Sequence, residues 1–146
     1  MNSMFLCAFG LFTIVLIRSS NGDNLKYYPS CWNYALCEDG PSGKTLMDCI
    51  NILTPEELKT YFQYEQENFY NFNSDSLSDI TKKYCSFDDD KKTDVYHKLI
   101  DADHGYENNV CSEGKEGACS RIREAINCEY DFFQKLQSEG KCQRES

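Results

Sequence analysis

The chain is poor in the groups that most enzymes need. It has two histidines, His97 and His104, and neither is followed by Asp. That excludes the His-Asp pair of a secreted phospholipase A2, and the glycine-rich calcium loop such an enzyme needs is also missing. No Gly-x-Ser-x-Gly occurs, so the strained elbow that presents a nucleophilic serine is absent. No internal repeat, low-complexity tract or Gly-Ala block is present, which speaks against a silk-like or matrix role. No Asn-x-Ser/Thr sequon occurs, so N-glycosylation is not expected. After Ile17 there is no further long apolar run, and no span of a mature membrane protein is expected. Basic residues are also scarce, 15 against 24 acidic ones. Nucleic acids and anionic membrane surfaces both require a basic footprint, so neither is an expected partner.

What is present begins with an export signal. Phe5 to Ile17 is apolar apart from Gly10 and Thr13, a length typical of a signal-peptide core and too short for a bilayer. Met1 to Met4 carries no Lys or Arg. Ser20 and Gly22 are small residues two apart, which places cleavage after Gly22. Residues 1–22 are therefore read as a signal peptide and residues 23–146 as a single disulfide-rich domain. Losing Arg18 with the signal leaves 14 basic residues against 24 acidic, a net charge of −10. A soluble, secreted, extracellular monomer is expected.

Cys7 leaves with the signal too, and the remaining cysteines become even in number: Cys31, Cys37, Cys49, Cys85, Cys111, Cys119, Cys128 and Cys142. In an exported chain of this size they read as four disulfides. Pairing cannot be read from sequence, but helix geometry excludes some pairs. Cys119 and Cys128 would lie about 13 Å apart along one helix and on opposite faces, whereas a disulfide needs Cα atoms within about 7 Å. They must bond to different partners, holding the last helix on both faces. Cys31 and Cys37 are excluded in the same way if the segment between them is helical.

The periodicity is helical nearly throughout and predicts an all-α fold, a small disulfide-stapled bundle of five or six short helices. Ser30 is read as the cap of a helix through Cys31–Cys37, and Gly40-Pro41-Ser42-Gly43 as a turn. A helix carrying Leu46, Met47, Cys49, Ile50 and Leu53 follows. Thr54-Pro55-Glu56-Glu57 is a capping box with proline at the first helical position. Its helix places Leu58, Tyr61, Phe62, Glu65 and Phe69 on one side, and Asn71–Asp75 breaks it. Ser76 opens a helix with Leu77, Ile80 and Tyr84. Asp88-Asp89-Asp90 opens another with Val95, Tyr96, Leu99 and Ile100, which Gly105 is expected to end. A loop from Asn108 to Gly117 should lead to a last helix over Ala118–Ser138, with Gly140 as its C-terminal cap.

Candidate sites are few. The aromatic cluster Tyr61, Phe62, Tyr64, Phe69, Tyr70 and Phe72 exceeds what one helix can bury, and is the expected ligand or partner contact. His97 and His104 could share a helix face with Asp94, Asp101 and Asp103 nearby, but their spacing matches no zinc pattern. Asp101-Ala102-Asp103-His104-Gly105 lacks the acidic group at the fifth position and the Glu at the twelfth that a calcium loop needs. No catalytic residue, metal or cofactor is expected, and the chain reads as a non-enzyme.

The tail Cys119-Ser120-Arg121-Ile122-Arg123-Glu124-Ala125-Ile126-Asn127-Cys128, with Cys111 upstream, is similar to the last three cysteines of insect odorant-binding proteins. The middle Cys-x-x-x-Cys pair of that family is absent, and Cys31 and Cys142 are additional. The resemblance implies a carrier holding a small apolar ligand in a central cavity. More broadly the chain resembles helical eight-cysteine proteins secreted by arthropod venom, salivary or silk glands. That implies a non-enzymatic binding protein or effector, a venom toxin or salivary component acting on an extracellular host protein. The effector is the leading expectation and the small-ligand carrier the alternative.

Overall fold

The structure is a computed structural model that describes residues 22–146. The expected signal peptide, apart from Gly22, lies outside the described residues. Seven α-helices and one π-helical turn make up the fold, with no strand among the described residues. They are α1 (Gly22–Leu25), α2 (Pro29–Asn33), the π turn (Tyr34–Glu38), α3 (Gly40–Ile50), α4 (Pro55–Asn68), α5 (Leu77–Cys85), α6 (Asp89–Ser112) and α7 (Glu116–Ser138). α1 is a single turn, and the π turn continues α2. The all-α, disulfide-stapled bundle expected from the sequence is therefore the fold observed.

α6 and α7 form a long hairpin across which Arg123 bonds Glu107 at 2.8 Å. Cys111–Cys119 staples its closed end, with Cα atoms 4.8 Å apart. Cys49–Cys128 ties α3 to the other face of α7, so that helix is held on both faces and Cys119 and Cys128 have different partners. Cys37–Cys85 joins the π turn to α5. Cys31–Cys142 brings the tail beyond α7 back onto α2, where the Glu145 amide also donates to the Tyr27 carbonyl at 2.8 Å.

The local chemistry explains most boundaries. At α4 the Glu57 amide donates to Thr54 Oγ1 at 3.3 Å, and the Thr54 amide donates to Glu57 Oε2 at 2.9 Å. Asp88 caps α6 by accepting from the Lys91 amide at 2.8 Å. Gly140 follows α7 at φ 71°, a conformation that glycine adopts without strain.

Four readings need correction. Gly40-Pro41-Ser42-Gly43 is the first turn of α3, because Asp39 caps it by accepting from the Ser42 amide at 2.9 Å and proline suits that position. Ser30 is not a cap: α2 starts at Pro29, and the Ser30 hydroxyl accepts from the Gln143 amide at 3.3 Å. Gly105 does not end α6. It sits mid-helix where α4 packs against it, and a Cβ there would fall 2.5 Å from the Tyr64 hydroxyl oxygen and 3.2 Å from Phe69 Cζ. The expected loop at Asn108–Gly117 shrinks to Glu113-Gly114-Lys115, with Gly114 at φ 74°.

One connection between α4 and α7 escapes the sequence altogether. Arg121 grips both oxygens of Glu57, with Nη2 to Oε1 at 2.6 Å and Nε to Oε2 at 2.9 Å. That guanidinium holds the Glu57 carboxyl down at about 2. Glu57 thus caps α4 and docks α4 on α7 together. Glu57→Ala removes both functions and is expected to cost about 2 kcal/mol in urea unfolding, against about 1 kcal/mol for Thr54→Ala.

Candidate functional site

The core falls into two apolar clusters. The larger gathers Leu46, Tyr96, Ile100, Ile126, Phe133 and their neighbours around α6 and α7. The smaller gathers Phe72, Ile80, Tyr84, Val95 and Leu99 beside α5. Trp32 and Leu36 pack against both. Where the clusters meet, α3, α4, α5, α6 and α7 leave a cavity of about 50 Å³. Each water needs roughly 10–15 Å³ of such space, so the cavity has room for a few water molecules or one compact group.

Most of its wall is apolar. Met47, Ile50 and Leu53 line it from α3 and the turn after it; Ile80 and Leu99 line it from α5 and α6; Ile122, Ala125 and Ile126 line it from α7. Phe62 from α4 and Leu77 and Thr81 from α5, all half-buried, complete it.

Three carboxylic acids interrupt this wall: Glu65 from α4, Asp103 from α6 and Glu129 from α7. They are only 4 %, 9 % and 7 % exposed. No Lys, Arg or His lines the cavity. Burial disfavours the charged form of an acid, and neighbouring acids disfavour it further. Burial, then the nearby Asp103, pushes Glu65 up to about 8. Burial pushes Asp103 up to about 7 against the opposing pull of the Tyr61 hydroxyl and His104. Burial, then Asp103, raises Glu129 well above the usual carboxylate range.

Tyr61 organises two of the three. Its hydroxyl donates to Asp103 Oδ1 at 2.6 Å and lies near the Glu65 carboxyl, which it draws down against the larger effect of burial. Burial, then the charge of Asp103, raises the Tyr61 hydroxyl well above its ordinary value. Glu129 makes no hydrogen bond with any described residue.

The six aromatic residues expected to act together do not form one surface. Tyr61, Phe62 and Phe72 line the cavity. Tyr64 and Phe69 stack on each other at 5.8 Å beside Gly105. Tyr70 packs on Phe72 at 4.7 Å, and the Lys91 ammonium lies 5.0 Å from its ring centroid. None of the six is exposed. His97 and His104 both lie on α6, where His104 meets Asp23 at 3.5 Å and His97 neighbours the Tyr96 ring. Among the described residues no three His, Cys, Asp or Glu side chains are placed to hold a metal.

Sequence reasoning weighed Asp103 only for a metal site, did not pick out Glu129 or Trp32 as site residues, and placed Glu65 on an apolar stripe without giving it a role. The signal was phase. Glu129 continues the spacing Ile122, Ile126, Phe133, and Asp103 that of Leu99 and Ile100. An acid in register with a buried stripe is an error of helix phase, half of a buried ion pair as Glu107 is with Arg123, or a site.

Four disulfides are typical of extracellular proteins, and no described helix is long and apolar enough to cross a membrane. Compared with protein-family models, with characterised proteins and with solved structures, the chain matches none.

Proposed function

We propose that the chain is an exported, non-enzymatic binding protein that carries a small ligand inside its helical bundle. The observation that carries this reading is the cavity itself, apolar over most of its wall and carboxylic on the rest, at the meeting point of five helices. Ligand sites are concave and mainly apolar, with a few polar groups that fix orientation. The similarity of the Cys119–Cys128 tail to odorant-binding proteins supports the same reading. A protein-binding effector would display its aromatic residues, and the six candidates here are buried or half-buried. The disulfides suit a carrier that must keep its cavity while diluted outside the cell, and the excess of acidic residues favours a soluble monomer.

The test is an NMR titration of the purified, fully oxidised protein with a compact apolar probe, xenon. Saturable one-to-one binding is expected. Ala125 is buried in the cavity wall, so Ala125→Leu should fill part of the space and weaken binding about tenfold or more, while overpacking costs about 1–3 kcal/mol of stability. Absence of saturable binding to any small apolar molecule would remove the carrier reading.

A further inference from the structure

Three acids in an apolar wall, with a basic side chain beside only Asp103 and none lining the cavity, are an unsolved electrostatic problem, and the shape of the cavity says what would solve it. We propose that the cavity takes a compact organic cation, a protonated primary or secondary amine on a small apolar body, with its ammonium group against Glu65, Asp103 and Glu129. This rests on the carrier reading and names the ligand class for it.

Four observations converge. Glu129 is 7 % exposed, lines the cavity and has no hydrogen-bond partner among the described residues. A buried polar group ordinarily has one, so an N–H donor from a guest fits the need. The lining contains no cation to repel an ammonium group or to neutralise the acids. Arg123 pairs with Glu107 at 2.8 Å, and His104, beside Asp103 on α6, pairs with Asp23 at 3.5 Å. Trp32, Tyr61, Phe62 and Phe72 line the same space, and aromatic faces attract cations. Finally, about 50 Å³ suits a guest of two or three non-hydrogen atoms, since a benzene-sized ring needs a cavity of about 150 Å³, and it excludes long-chain lipids, whose carboxylates the three acids would also repel.

Binding must then move protons. The groups facing the cluster are Tyr61 from α4, His104 and Glu107 beside Asp103 on α6, and Tyr96, whose hydroxyl is committed to the Leu25 carbonyl. Of these only His104 is basic, and it does not line the cavity. An acid that is protonated in the free protein loses its proton to solvent as the ammonium arrives, giving a carboxylate paired with an alkylammonium. Affinity for an amine therefore rises with pH while the cluster titrates, and affinity for a neutral analogue does not.

The experiment is calorimetric titration of the intact four-disulfide protein with methylamine, methanol and formate, which share a one-carbon body and differ in charge. Methylamine is expected to bind about tenfold or more tightly than methanol, and formate not at all. Between about pH 6 and pH 8 methylamine affinity should rise about tenfold with measurable proton release to the buffer. Glu129→Gln should shrink the amine-over-alcohol preference to about threefold or less. Should that variant not fold, Glu65→Gln and the pH series on the unaltered protein give the same readout. Equal binding of alcohol and amine, or an unchanged preference in both variants, overturns the amine assignment and leaves the carrier standing. Failure of all three compounds and of the apolar probe overturns the carrier reading itself.

Discussion

Reducing the four disulfides is expected to abolish the helical circular dichroism signal at about 37 °C, and this is the largest single effect the structure implies. Three of the bridges close long stretches of chain, with sequence separations of 111, 79 and 48, and one closes only 8. In the chain-entropy picture the long closures are worth about 4–5 kcal/mol each and the short one about 2–3. Native domains are stable by only about 5–15 kcal/mol in total, so the bridges hold a share the core cannot replace. The core is weakened besides, since it contains a cavity with three buried acids in its wall. Paired alanine substitutions read the same ranking singly. Losing Cys49 and Cys128 together should cost more, by about 1–2 kcal/mol, than losing Cys111 and Cys119 together, measured by urea unfolding. A protein that keeps its helices when reduced would show that packing alone specifies the bundle.

The second large effect is an unusual pH profile. Glu65 and Asp103 titrate in the folded protein near 8 and near 7, well above their ordinary 4.5 and 3.8. Below the ordinary values both states hold the protons and these groups cost nothing. As pH rises, the unfolded chain ionises freely while the folded one resists, so stability falls from about pH 4.5 until the folded-state values are passed. For Glu65 alone the loss by pH 7 is about 3 kcal/mol. Glu57 works in the opposite direction. Its carboxyl is held down at about 2 by Arg121, so its contribution is present above 4.5 and disappears as pH falls through about 2. The melting temperature of the unliganded protein should therefore peak near pH 5 and decline toward pH 8. Glu65→Gln should flatten that decline and raise stability at about pH 8 by roughly 3 kcal/mol, a gain from removing a site residue. Melting curves that rise steadily from pH 5 to pH 8 would contradict this.

Much of the framework is legible in the chain because it is local. Thr54 and Glu57 are three residues apart, Gly140 follows the last apolar residue of α7, and the stripes of α5, α6 and α7 repeat at helical spacing. Each depends only on neighbours along one helix. The separation of Cys119 from Cys128 is equally local, which is why geometry alone forbids their bond. Misjudged features are those decided from across the fold. Gly105 resembles a helix stop when read along α6, but its missing side chain is where Tyr64 and Phe69 of the neighbouring segment fit. The Asp39 cap that turns Gly40-Pro41-Ser42-Gly43 into a helix start lies just outside the cluster that looks like a turn.

The site is the extreme case. Glu65, Asp103 and Glu129 stand on three helices, 38 and 26 residues apart in the chain. Their phase marks each as facing inward, but nothing local says that they face one another. That follows from how α4, α6 and α7 pack together, with the Arg121 and Glu57 pair tying α4 to α7 and the Cys111–Cys119 bridge tying α6 to α7. The aromatic cluster, by contrast, is conspicuous in sequence and divided in space, with only Tyr61, Phe62 and Phe72 reaching the cavity.

The most direct test of the central claim, that an apolar cavity holds three uncompensated carboxylic acids, is a carbon-detected NMR titration of the Asp and Glu side-chain carboxyls in the unliganded protein. Glu65, Asp103 and Glu129 are expected to titrate last of the carboxyls, Asp103 near 7, Glu65 near 8 and Glu129 far above 4.5, with Glu57 among the first. If the three instead titrate around 4 with the surface carboxylates, they are in water, and the cavity and every function built on it are gone.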